Sequence, residues 1–153
     1  MTAKEYLSEV QRLENALEHK RQKVKEYRRI STSTPSSRMS LAKVQTSSPT
    51  DRIADMVGKI ADLEAEIQDD MLDIAYKRHE IINMIHRLDN VAYMQVLFGR
   101  YIQCKGLGAI GKDMGKSYNY TIVLHGKALE AFEQLHKDFL QGKWQMKSPE
   151  KCY

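Results

Sequence analysis

The stretch LGAIGKDMGKSYNYTIVLHGKAL, residues 107–129, has the spacing of two short helices packed across a tight turn. Leu107, Ile110 and Met114 recur at helical steps as one apolar stripe, and Gly115 supplies a residue able to turn the chain. Ser117 is a cap for a second helix whose inward face is Thr121, Leu124, Ala128 and Leu129. A helix-turn-helix holds such a second helix proud of its domain, so that its first turns can enter the major groove of DNA. On this expectation Ser117, Tyr118, Asn119, Tyr120 and Val123 form the reading face. Asn119 can pair bidentately with adenine, while Tyr118 and Tyr120 can donate to phosphate or pack on a thymine methyl. Lys116 and Lys127 reach phosphates, and Arg100, Lys105 and Lys112 extend those contacts. The competing reading is packing of the tyrosines beneath the helix and ordinary solvation of the lysines. Convergence on one face separates the two.

Upstream, VAYMQVLFGRYIQCKG (residues 91–106) predicts a supporting helix with Met94, Leu97, Phe98, Tyr101 and Ile102 inward. Downstream, EAFEQLHKDFLQ (130–141) continues the second helix with Phe132, Leu135, Phe139 and Leu140 on one side. The tail, 142–153, is polar and basic apart from Trp144, which can dock on the core or on a partner.

The first ninety residues follow a different rule. In residues 3–30 Tyr6, Val10, Leu13, Leu17, Val24 and Tyr27 recur at coiled-coil steps, interrupted where Lys20 occupies the seam. Residues 31–50 hold eleven Ser/Thr and two Pro without helical period, and are expected to be a connector. From 51 to 88, Ile53, Ile60, Ile67, Ile74, Ile81 and Leu88 fall at strict seven-residue intervals. Met56, Val57, Leu63, Met71, Met84 and Ile85 fill the second seam position, and Asp70, Lys77 and Arg78 interrupt it. A helix of that length spans roughly 57 Å at 1.5 Å per residue. Its single apolar stripe needs a partner, either the 3–30 helix folded back upon it or the same helix of a second protomer. Asp89-Asn90 is a break and a new cap. The expected fold is therefore all-α. It comprises a long antiparallel coiled-coil hairpin (residues 1–90) followed by a helix-turn-helix domain with a basic tail (91–153), with a homodimer formed through the coiled coil.

At 153 residues and 42% hydrophobic content, the chain suits one modest domain plus an appendage, not a large enzyme. It lacks both an apolar run long enough for a bilayer and, at its start, a signal-peptide core, so no membrane partner and a cytoplasmic location are expected. The net charge of +4 is polarised: +3 over 1–30, +2 over 31–50, −5 over 51–90 and +4 over 91–153. The basic end is the one that would meet phosphate, the alternative being a solvated mixture of charges.

No catalytic residue, metal site or cofactor is expected. Asp69, Asp70 and Asp73 read as a solvated run on the outer face of the long helix. His79 and His86 are seven apart, whereas helical chelation uses i, i+4. His125 reads as structural or phosphate-directed. Gly106, Gly108, Gly111 and Gly115 lack the strand and Lys-Ser/Thr context of a phosphate loop. Cys104 is expected as buried filler and Cys152 as part of the tail.

The window RYIQCKGLGAIGKDMGKSYNYTIVLHGKALEAF (100–132) resembles the region-4 helix-turn-helix of bacterial sigma factors, whose second helix begins after Gly-x-Ser and ends in Lys/Arg-Ala-Leu. More widely, MTAKEYLSEVQRLE, the Ser-rich connector, DRIADMVGKIADLEAEI, IHRLDN and LHGKALEAF are similar, in order and spacing, to a family of small phage and prophage proteins of Gram-positive bacteria. That family is regarded as sigma-like late-transcription regulators. The resemblance covers nearly the whole chain. It implies an all-helical DNA-binding transcriptional regulator of phage origin, acting on double-stranded DNA in a bacterial host cell, with RNA polymerase or another host protein as a further partner. Departures are Leu107 where the family commonly has Trp, and Gly108 and Gly111 where it has helix-favouring Glu and Ala. Tyr118, Asn119, Tyr120 and Val123 stand where sigma-like proteins place Arg, Glu or Gln. This weakly basic second helix motivates a second expectation: a phage-encoded interaction protein that inhibits a host polymerase or defence nuclease, of anti-defence or anti-CRISPR type, through the same fold.

Overall fold

The computed structural model describes residues 1–33 and 49–142, and every regular element among them is helical. In chain order these are α1 (Ala3–Leu7), α2 (Glu9–Thr32), α3 (Pro49–Ile85), α4 (Val91–Leu97), a π-helical turn (Phe98–Ile102), α5 (Leu107–Asp113), α6 (Tyr118–Leu135) and α7 (Lys137–Leu140). Most of the connector (34–48) and the tail with Trp144 and Cys152 lie outside the described residues. None of the described helices is long and apolar enough to cross a membrane. Contacts divide the chain into two compact units, Leu13–Ile74 and Met1–Arg12 with Ala75–Tyr153.

In the 13–74 unit, α2 and α3 run beside each other in opposite senses: Lys20 pairs with Asp70 at 2.6 Å and Glu66 at 3.3 Å, and Arg28 pairs with Glu64. Leu17, Val24, Ile67 and Ile74 are buried, as the apolar periods require. The heptad stripe is not covered along its whole length. Ile53 and Val57 are 51% and 55% exposed. The physical reason is length: α2 ends at Thr32, four residues beyond the partner of Glu64, so no described residue of α2 faces the first turns of α3. Asp70 is half-buried against Lys20, which corrects its expected place on the outer face, whereas Asp69 and Asp73 are exposed.

In the other unit the expected single helix over 3–30 is broken at Ser8. Thr2 and Glu5 form a reciprocal capping box that starts α1, and the α1 C-cap Ser8 donates its N–H to the Lys4 carbonyl at 3.0 Å. Tyr6 is buried, its ring 5.3 Å edge-on to Phe139 and 6.4 Å from Phe132, its hydroxyl bonded to Glu80 and to Met84 Sδ. Burial, then the Glu80 carboxylate, holds that phenol far above its ordinary pKa. Lys77, an interruption of the seam in sequence, ion-pairs with Glu9 at 3.2 Å and lies 4.3 Å from the Tyr6 ring centroid. α3 ends at Ile85, short of the expected Leu88, although Leu88 remains buried beneath the following turn.

Asn90 then caps α4, its side-chain oxygen accepting from the N–H groups of Ala92 and Tyr93. The π-turn inserts one extra residue per turn and re-aims the helix. Leu97, Tyr101 and Ile102 are buried as expected, and so is Val96, while Met94 and Phe98, expected inward, are only half-buried. Cys104 follows with φ of 54°, and Lys105 N–H reaches back to the Gly99 carbonyl at 2.9 Å. Cys104 is exposed, not buried filler: it occupies a left-handed position that ends a helix. Leu135, expected inward, is 51% exposed because α6 stops at His136, where φ is −110° and α7 begins on a new axis.

Candidate nucleic-acid interface

α5, the turn at 114–117 and α6 are joined by a closed set of backbone and capping hydrogen bonds. Gly115 has φ of +64°, Lys116 N–H donates to the Gly111 carbonyl at 2.8 Å, and Gly115 N–H donates to the Lys112 carbonyl at 3.1 Å. This is a Schellman closure, which consumes the last carbonyls of α5 and fixes the direction of exit. Ser117 accepts at its Oγ from Tyr120 N–H at 3.2 Å and so starts α6 within two residues of the end of the turn.

Gly111 sets how closely the two helices approach. A Cβ placed there would lie 2.7 Å from Thr121 Oγ1 and 3.0 Å from the Lys116 carbonyl oxygen. Thr121 is fully buried, and its hydroxyl donates to the Ser117 carbonyl at 2.9 Å. The glycine that departs from helix-favouring residues in sequence is thus the residue that admits the first turn of α6. Gly108 has no such role, its nearest atom being Tyr118 Cδ2 at 3.8 Å.

Thr121, Leu124, Ala128 and Phe132 turn inward, and α4 and α5 pack on that face. The opposite face is open. Tyr118 is 58% exposed, Tyr120 48%, Ile122 42% and Val123 57%, and Lys116, Ser117, Asn119, Gly126 and Lys127 are exposed as well. The Lys116 ammonium lies 5.5 Å from the Tyr120 ring centroid. Sequence reading omitted Ile122 and Gly126, which the helical steps from Asn119 place on the same stripe.

The outlying cations are arranged differently. Lys112 is exposed on α5. Lys105 is held at 2.7 Å by Asp113, and Arg100 donates to the Lys105 carbonyl at 3.2 Å, so both also have intramolecular work at the end of the π-turn. His125 is half-buried, bonded through Nε2 to the Tyr101 hydroxyl at 3.0 Å. Burial, followed by the charges of Arg100 and Lys4, pushes its pKa down, and burial raises that of Tyr101.

Among the described residues no group of three or more His, Cys, Asp or Glu is placed to hold a metal. His79 bonds to Asn83 at 3.0 Å, and His86 stacks on Phe98. Comparison with protein-family models, with curated proteins and with solved structures gives no match.

Proposed function

We propose that this chain is a non-enzymatic DNA-binding transcriptional regulator, with α5 and α6 as a sigma region 4-like helix-turn-helix and α6 as the recognition helix. The observation that carries this reading is the exposed outer face of α6, supported from beneath by Thr121, Leu124 and Ala128, with Lys116 and Lys127 exposed at the two ends of that stretch and Lys112 exposed on α5. An amphipathic helix with its first turns unobstructed is the shape that a major groove accepts. The resemblance to small phage regulators supports the same reading and assigns the protein to the cytoplasm of a bacterial host. In it α2 and α3 form a coiled-coil hairpin, and the exposed Ile53 and Val57 are where a second copy joins. Light scattering tests that part: Ile53→Asp with Val57→Asp converts a dimer to a monomer, and a wild-type monomer at tens of micromolar removes it.

Binding to duplex DNA is the test of the function. Affinity should fall by roughly 10³-fold or more between about 50 and 200 mM salt if several phosphates are neutralised. Replacing Asn119 and Lys127 with Ala together should weaken binding by more than about 1 kcal/mol. Unchanged affinity in that variant would remove α6 from the interface.

The exposed apolar side chains Ile122 and Val123 favour a second reading, in which the same helix grips a host polymerase or defence nuclease as an inhibitor. A chain that binds no duplex at low salt supports that reading.

A further inference from the structure

Taken with the DNA-binding reading, on which this rests, the exposed face of α6 carries information about which bases it meets. Asn119, Ile122, Val123 and Gly126 are related by steps of three and four, and all four are exposed. Tyr118 and Tyr120 flank them, also exposed. Between 118 and 126 the sole ionisable side chains besides these phenols belong to His125, whose imidazole is engaged with the Tyr101 hydroxyl.

The chemistry on offer is one carboxamide, two branched aliphatic side chains, two phenols and a bare backbone position. In the major groove, guanine is read chiefly by Arg or Lys on O6 and N7, and cytosine by a carboxylate accepting from N4. Neither group is present on this stretch. A carboxamide is the partner of adenine N6 and N7, and apolar carbons are the partner of the thymine C5 methyl. Gly126 adds to this. Beyond its chain neighbours and the backbone of its own helix, no atom lies within 4 Å of where its Cβ would be, so its lack of a side chain leaves room for something outside the protein to approach the backbone. The exposed ammonium groups of Lys116 and Lys127, at either end of the stretch, and of Lys112 on α5 supply charge for phosphates, which carry no sequence information.

We infer that α6 reads a run of A·T base pairs, with Asn119 on adenine and Ile122 and Val123 on thymine methyl groups.

The experiment is selection of bound duplexes from a random-sequence library at about 50 mM salt, followed by titration of the enriched duplex with thymine or with uracil in the core. Uracil removes the C5 methyl and keeps the pairing. The expected result is an A·T core, with affinity falling about fourfold for each contacted methyl lost, since a buried methyl-sized group is worth about 0.8 kcal/mol. Ile122→Ala with Val123→Ala should bind the thymine and uracil duplexes equally, and Asn119→Ala should lose the adenine preference at one position while keeping the rest. All three positions are exposed, and the helical circular dichroism of the variants is to match that of the wild type before their binding is read. A G·C core, or indifference to uracil in the wild type, overturns the inference while leaving DNA binding standing. Failure to bind any duplex overturns the inference and the proposed function together.

Discussion

Lys20 and Asp70, fifty positions apart in the chain, form a charged hydrogen bond of 2.6 Å. Each interrupts an otherwise apolar stripe, Lys20 that of α2 and Asp70 that of α3. The carboxylate beside it holds the Lys20 ammonium above its ordinary pKa. A lone polar pair in an apolar seam selects one register among several that apolar residues alone would tolerate. Asp70→Leu should therefore lower the thermal midpoint, because Lys20 loses its nearer partner. Lys20→Leu with Asp70→Leu should recover or exceed the wild-type midpoint but broaden the species seen by light scattering. Additive effects of the two single changes would mean that the pair does not couple.

Gly111 and Gly108 lie in the same short helix and should respond oppositely to alanine. Gly111→Ala drives a methyl into Thr121 and the Lys116 carbonyl and should cost about 1–3 kcal/mol in urea unfolding, with loss of any DNA binding that depends on α6. Gly108→Ala meets only ordinary contact and should stabilise by about 0.5–1 kcal/mol. Equal effects would show that the approach of α6 to α5 is not set at Gly111.

Asp113 holds Lys105 at 2.7 Å. If Lys105 serves phosphate, neutralising its partner should free it: Asp113→Asn should strengthen duplex binding and steepen the salt dependence by about one phosphate contact. A slope unchanged from wild type would confine Lys105 to its structural role.

His136 is buried, its ring 4.6 Å from Phe132 and its Nε2 bonded to the Met84 carbonyl at 3.0 Å. Burial pulls its pKa below the ordinary 6.5, against the bond to Met84 and with help from the Arg87 charge. The unfolded chain then binds more protons than the folded one between 6.5 and the lower folded value, so stability falls as pH drops through that window. His125 adds a contribution of the same sign. Urea midpoints should decline from about pH 7.5 to about 5.5, and His136→Gln, which keeps a donor for Met84, should flatten the decline. A midpoint that rises on acidification would contradict the assignment.

Periodicity made the helices legible, because a stripe recurring every three or four residues has one regular solution. The capping roles of Ser117 and Asn90 and the turn at Gly115 were legible for the same local reason: each depends on a few neighbouring residues. What local pattern could not carry was pairing at a distance. Lys20 and Asp70 read as separate flaws, and Lys77 gave no hint of its place over Tyr6. Val96 is buried and Met94 and Phe98 only half-buried, a distribution that depends on which neighbouring helices cover α4 and that its own period does not announce. Gly111 read as a weakness of α5 because its reason lies in Thr121, on another helix. The outer face of α6 was visible in sequence through Tyr118, Asn119 and Val123, with Thr121 and Leu124 already on the inward side, yet that reading of the outer face omitted Ile122.

Tyr6 lies near the start of the chain, and Phe132 and Phe139, on which its ring packs, lie near the other end. On the ribosome, residues 13–74 can pair α2 with α3 as soon as both have emerged, a closure spanning about fifty residues at Lys20 and Asp70. The opening turns then find Lys77, Glu80 and Met84 on α3, but the Tyr6 ring still lacks the two aromatic rings that cover it. Synthesis must run well past α3 before Phe132 and Phe139 can cover the Tyr6 ring, so a product cut short before Phe132 leaves that ring without its aromatic neighbours, a surface for a chaperone to shield.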